Sequence, residues 1–175
     1  MKRSDLAGKC ILLVDVQEGN HTKETDFYFN RILELFLNFH IDRVFATVFT
    51  ADGLTLSEND FRNRFVSLRS QQIPSYFQKY IGALYLHDGY QFVDEGFLRQ
   101  LKLFNHGQLP DKVYIMGFGP ESSLLNLCLG LQLHGIETFV VADYVSSSIG
   151  LDMVGAGFRI LNYMIGKDHV IWVDK

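Results

Sequence analysis

The sequence predicts a three-layer α/β/α sandwich built on a mostly parallel, six-stranded, Rossmann-like sheet, with residues 1–175 in one domain. Three observations lead there. Short runs rich in leucine and β-branched residues alternate with longer helical patterns along the whole chain. Most of those runs are continuously apolar, as strands covered on both faces must be. The length of 175 residues, 47% of them apolar and 21% charged, suits one full hydrophobic core and not comfortably two.

The first strand is expected at residues 9–15 (KCILLVD) and the second at 43–49 (RVFATVF). Between them, Phe29, Ile32, Leu33, Phe36 and His40 fall three and four apart, which predicts a helix over residues 25–40 with one apolar stripe. Residues 50–80 are polar, carry Arg62, Arg64 and Arg69, and show no convincing strand, so they read as an excursion from the sheet. A weaker strand is expected at 83–86 (ALYL), then a helix over 92–104 with Phe97, Leu98, Leu101 and Phe104 as its stripe. A strand at 112–117 (KVYIMG) leads into a helix over 121–134, apolar on nearly every side and closed by Gly135. The strand at 137–143 (ETFVVAD), a helix over 151–165 and a last strand at 168–173 (DHVIWV) complete the pattern. Strands joined through helices of this length pair in parallel by right-handed crossovers.

Composition removes several function classes. A net charge of −4 gives no electrostatic reason to bind nucleic acid or an anionic membrane. No apolar run approaches the roughly 18 residues of a membrane span, and the five apolar residues from Cys10 to Val14 are too short for a signal core. Cys10 and Cys128 form neither a disulfide framework nor a metal-ligand spacing, so a reducing, cytoplasmic setting is expected. No metal and no cofactor is expected.

In an open α/β sheet, ligands bind beyond the carboxyl ends of the strands, where the strand order reverses. Asp15 ends the first strand, Ser122 and Ser123 follow the 112–117 strand in GFGPESS, and Asp143 ends the 137–143 strand. Each also has a plain structural reading: the two aspartates can cap loops, and Ser123 can satisfy an amide in the first turn of a helix that Gly119 caps and Pro120 opens. That first turn equally suits a nucleophile, because its free amides favour developing negative charge.

Taken together, these positions resemble the isochorismatase-like hydrolases, which include nicotinamidases and other cysteine amidohydrolases. The run Ile11-Leu12-Leu13-Val14-Asp15-Val16-Gln17 is similar to the family's first strand with its catalytic Asp. Residues 113–148 resemble its signature region, with Gly135 twelve residues beyond the nucleophile position, Ser123. The resemblance implies an Asp, Lys and Cys triad, an oxyanion site with a cis peptide at Phe118–Gly119, pocket positions at Gln17, Pro120 and Asp143, and a dimer or larger homo-oligomer. The departures are in the chemistry. Ser123 stands where the family has Cys, and Cys128, five residues along the helix, is turned about 140° away. Counted back from Phe92, the Lys position falls on Leu86, or on His87 if the loop is one residue shorter. The loop of residues 49–53 lacks the Asp-x-His that nicotinamidases use for a metal.

Three readings follow. A serine hydroxyl beside a lone carboxylate is a poor nucleophile, which favours a catalytically inactive or impaired homologue kept for binding a protein partner, a small ligand or itself. An active hydrolase would use Asp15, His87 and Ser123 as an acid–base–nucleophile set, with the Gly119 and Ser123 amides as the oxyanion site. A nucleotide-binding domain would use the Gly117–Ser122 turn with Asp143 on a ribose, against which Pro120 and Glu121 speak. The 15 Phe and 8 Tyr are a large supply for one such core, so some of Phe61, Phe65, Tyr76, Phe77, Tyr80, Tyr85 and Tyr90 are expected to face outward or a subunit, or else to cover the sheet edge.

Overall fold

The computed structural model describes residues 1–50, 69–89 and 92–173. Six strands, β1 (Ile11–Val14), β2 (Val44–Phe49), β3 (Ile81–His87), β4 (Lys112–Phe118), β5 (Glu137–Ser146) and β6 (Val170–Ile171), lie in the order β3-β2-β1-β4-β5-β6. Every neighbouring pair is parallel. The chain runs outward from β1 to β3, returns across the sheet, and runs outward again from β4, so the order reverses between β1 and β4.

That reversal decides where the helices go, because crossovers between parallel strands are right-handed as a rule. Helices α1 (Asp26–Asn38) and α2 (Ser75–Gln78) cover one face, burying Phe29, Ile32, Phe36 and Phe77 against Ile11, Leu13 and Val48. Helices α3 (Glu95–Phe104), α4 (Ser123–Leu133) and α5 (Leu151–Met164) cover the other, burying Phe97, Leu101, Leu127 and Leu161 against Leu12, Val14 and Ile115. Successive residues of β1 thus feed opposite cores, the period of two expected of a strand buried on both faces.

Several boundaries differ from the sequence reading, each for a local reason. Asp94 accepts a hydrogen bond from the Phe97 amide (2.7 Å), so α3 starts at Glu95 and not at residue 92. Helix α4 starts at Ser123 with Ser122 at the cap position, displacing Gly119 and Pro120 from those roles. The carbonyl of Gly119, whose φ is 80°, takes the amides of both Ser122 and Leu124, so a tight turn precedes the helix. Strand β5 continues past Asp143 to Ser146 because its register against β4 shifts after Ile115, Val140 pairing with Ile115 and Val145 with Gly117. The last strand shrinks to Val170–Ile171 behind a 3-10 turn at Lys167–His169. Within the excursion of residues 50–80, α2 is a four-residue helix, and Arg62, Arg64, Phe61 and Phe65, like Tyr90, lie outside the described residues.

Of the aromatics expected at the surface, Tyr76 is exposed, while Phe77 is fully buried between Phe29 and Phe36. The outward-facing rings also include Phe27, Tyr163 and Trp172. Cys10 and Cys128 are both buried and unpaired. Among the described residues, no helix is long and apolar enough to cross a membrane.

Candidate functional site

The close approach of β1 and β4 creates the site. Gly117, with φ 120°, lies so near β1 that a Cβ there would sit 2.1 Å from the Val14 carbonyl oxygen. Only glycine permits that approach. Immediately after Val14 the chain turns, and Asp15 takes a left-handed φ of 52°, an uncommon state for a residue with a side chain. Its backbone is tied on every side. The amide reaches the Thr47 carbonyl (3.2 Å), and the carbonyl accepts from the Gln17 amide (3.0 Å) and from Asn20 Nδ2 (2.7 Å). Strained backbone held by its surroundings in this way concentrates at functional positions.

The Asp15 side chain is buried and anchored through Oδ1, which accepts from the Thr47 hydroxyl (2.8 Å) and lies 2.9 Å from His87 Nε2. His87, the last residue of β3, is as deeply buried. Its Nδ1 lies 2.7 Å from the Gly89 carbonyl, and its ring stacks on Phe92 with centroids 3.9 Å apart. A carbonyl can only accept, so Nδ1 carries hydrogen. Any proton shared between Asp15 and Nε2 resides on the imidazole, the stronger base. Burial works to keep the ring neutral, but the charge and hydrogen bond of Asp15, with the Gly89 carbonyl and Asp88, outweigh it and raise the His87 pKa above its ordinary value. Both ring nitrogens are thereby committed, one to the Asp15 carboxyl group and one to the Gly89 carbonyl.

Ser123 opens α4 and is buried. With Asp15, Asn20, Phe49, Phe118, Gly119, Ser122 and Ser148 it lines a cavity of about 10 Å³, a space on the order of one water molecule. Asn20 Oδ1 is buried and has no hydrogen-bond partner among the described residues. The structure therefore brings Asp15 and Ser123 to one crevice and sets His87 against the Asp15 carboxylate, outside the lining of that cavity. It does not order them as aspartate, histidine and serine: His87 spends one nitrogen on Asp15 and the other on Gly89, leaving none for Ser123. Leu86 points outward, with 58% of its surface exposed, so it takes no part.

Other expected positions belong to the scaffold. Gln17 is wholly buried as a brace, donating to the carbonyls of Phe49 (3.0 Å) and Ser70 (3.2 Å) and accepting from the Phe49 amide (2.8 Å). Asp143 accepts from Arg31 (3.1 Å) through one oxygen and from the Val173 amide (2.9 Å) through the other, tying α1 to the end of the chain. Neither lines the cavity, and Pro120 packs against Gly157 of α5 instead. With Asp143 so occupied, the ribose-binding reading loses its acid. The Phe118–Gly119 peptide is trans, and the Gly119 amide already donates to the Ser146 carbonyl (3.1 Å), so it is no oxyanion donor. Cys128 is fully buried, its thiol pushed up to about 12 by desolvation. Among the described residues, no three His, Cys, Asp or Glu side chains gather as a metal site would require.

Two contributors were missed in the sequence. Thr47 carried a signal, as the one hydroxyl within the apolar run RVFATVF. Asn20 carried none.

No protein-family model matches the chain, and none of the curated proteins does. Solved structures do match. An isochorismatase-like hydrolase from Alkaliphilus metalliredigens superposes with a TM-score of 0.70 at 9% identity, over 96% of this chain and 94% of that one. The yeast nicotinamidase bound to nicotinaldehyde gives 0.66 at 16% identity, over 95% and 100%. The chain has the isochorismatase-like hydrolase fold. The MAR1 ribonuclease from Caenorhabditis elegans matches with a TM-score of 0.54 at 14% identity, over 90% and 74%. Identities this low make the likeness one of isochorismatase-like fold alone. Within that fold, the switch point between β1 and β4 is the crevice that Asp15 and Ser123 share.

Proposed function

We propose that this chain keeps the isochorismatase-like hydrolase fold without its hydrolytic chemistry and serves as a binding or assembly protein. The commitment of both His87 nitrogens carries the reading: Ser123 then has no matched base, and the Asp15 charge is spent on the imidazolium. A cavity of about 10 Å³ adds to it, since an amide substrate needs many times that room. In this account Asp15, His87 and Thr47 form a closed structural pillar at the place where the resemblance puts a catalytic Asp and Lys. Self-assembly or a protein partner has surface to use, because Ile160, Tyr163 and Met164 of α5 are exposed, as is Trp172.

The test is ammonia or pyruvate release from nicotinamide, simple aromatic amides and isochorismate-type vinyl ethers. Wild type is expected to stay at the uncatalysed rate, and Asp15→Asn, verified as folded by circular dichroism, is expected to match it. Turnover above background that disappears in Asp15→Asn would overturn the reading.

A further inference from the structure

We propose that a second cavity, at the opposite end of the sheet where β1, β2 and β4 begin, binds a small organic anion through Arg43. Its volume is about 430 Å³, within the roughly 300–1,000 Å³ typical of small-molecule sites. Lys9, Arg43 and Lys112 line it, with Asp111 as the acid among the lining residues, in a chain whose net charge is −4. A concentration of positive charge against the overall sign is a local feature, and it needs an explanation the fold does not supply.

Arg43 is the centre of the argument. It is half-buried, and its hydrogen bonds go to neutral groups, the Gly8 carbonyl (3.3 Å) and Asn105 Oδ1. Among the described residues no carboxylate lies within 4.0 Å of it. Lys112, by contrast, already has Glu137 at 2.8 Å. Asn105 is fixed in turn, its amide nitrogen donating to the Gln108 carbonyl (2.9 Å), so it holds the guanidinium in place. A planar fork of five donors, held by Asn105 and with no carboxylate within 4.0 Å among the described residues, is suited to a carboxylate or phosphate oxygen pair. Holding the fork before the ligand arrives reduces the entropy lost on binding.

The remaining walls define the body of the ligand. Tyr114, Leu109 and Pro110 offer an apolar side on which a ring can rest. Cys10 is buried at the cavity, and desolvation pushes its thiol up to about 11, so it is a neutral wall and not a nucleophile. The class of ligand is therefore a compact molecule with one carboxylate or phosphate group and a flat or apolar body. The site is separate from the Asp15 crevice, and its test is independent of the proposed loss of hydrolysis.

Calorimetric titration of the full chain with inorganic phosphate, benzoate and adenosine monophosphate distinguishes the two oxyanions and the contribution of the ring. At least one probe is expected to saturate below about 10 mM, with binding weakened by added salt. Arg43→Gln is expected to weaken it by about tenfold or more. The exposed Lys9→Gln, which leaves the fold undisturbed, is expected to weaken it by a smaller factor, and Ser123→Ala to leave it unchanged. Absence of saturable binding by all three probes, or binding that Arg43→Gln leaves intact, would overturn the proposal.

Discussion

Replacing His87 with leucine is expected to destabilise the protein by about 3–5 kcal/mol, the cost of removing one partner from a buried ion pair. Asp15 is 4% exposed, and with the imidazole gone its carboxylate keeps only the Thr47 hydroxyl at Oδ1. An uncompensated buried charge is worse than none, so the double variant Asp15→Asn with His87→Leu should be less destabilised than His87→Leu alone. Chemical denaturation of the three variants measures both. The effect has a pH signature. The folded-state pKa of His87 lies above its ordinary value, so its stabilisation is present in full below about pH 6.5. It declines as pH rises through the raised folded value, because the proton that completes the pair is then lost. The stability gap between wild type and His87→Leu should therefore narrow from mildly acidic to alkaline pH. A gap that widens across that range would assign the pair the wrong charge.

Gly117→Ala is expected to prevent folding at ordinary temperature, a loss of more than about 4 kcal/mol. The added Cβ would lie 2.1 Å from the Val14 oxygen and 2.8 Å from the Val14 nitrogen, both backbone atoms of the neighbouring strand, so no rotamer change relieves it. Separating β4 from β1 would also open the crevice, since Asp15 follows Val14 directly and Gly119 follows two residues after Gly117. Gly135→Ala is the control. Gly135 also has a positive φ, 75°, but nothing lies within 4 Å of its Cβ position, so only the left-handed penalty of about 1–2 kcal/mol applies. Soluble, cooperatively unfolding Gly117→Ala with a stability near that of Gly135→Ala would show that the strands can separate freely.

The fold was legible because β1, β2, β4 and β5 carry unbroken apolar runs, which only a sheet covered on both faces explains. Strand β3 read weakly for a physical reason. It is an edge strand, and its exposed residues Gly82, Leu84 and Leu86 are as apolar as the half-buried ones between them, so hydrophobicity does not mark the alternation. The Lys position stayed open between Leu86 and His87 because the count back from Phe92 depends on the length of the intervening loop. Past the register shift near Ile81, the residues Ala83, Tyr85 and His87 alternate with the exposed Leu84 and Leu86. The register shift in β5 had no sequence mark, which is why Asp143 looked like the end of a strand while it serves as a tie between α1 and Val173. The opening strand singles out Asp15 and the spacing to Gly135 singles out Ser123, and the structure sets both at one crevice, whereas the turn at Gly119 concealed that the helix begins at Ser123 itself.

Nitrogen-detected magnetic resonance of the histidine rings tests the arrangement around Asp15 most directly, with His87→Leu assigning its signals among the six histidines. At pH 7 both His87 nitrogens are expected to carry protons, exchanging slowly with solvent and titrating above the ordinary histidine value of about 6.5. A His87 ring that is neutral at pH 7, with one bare nitrogen available toward Ser123, would contradict the account and restore a base to the site.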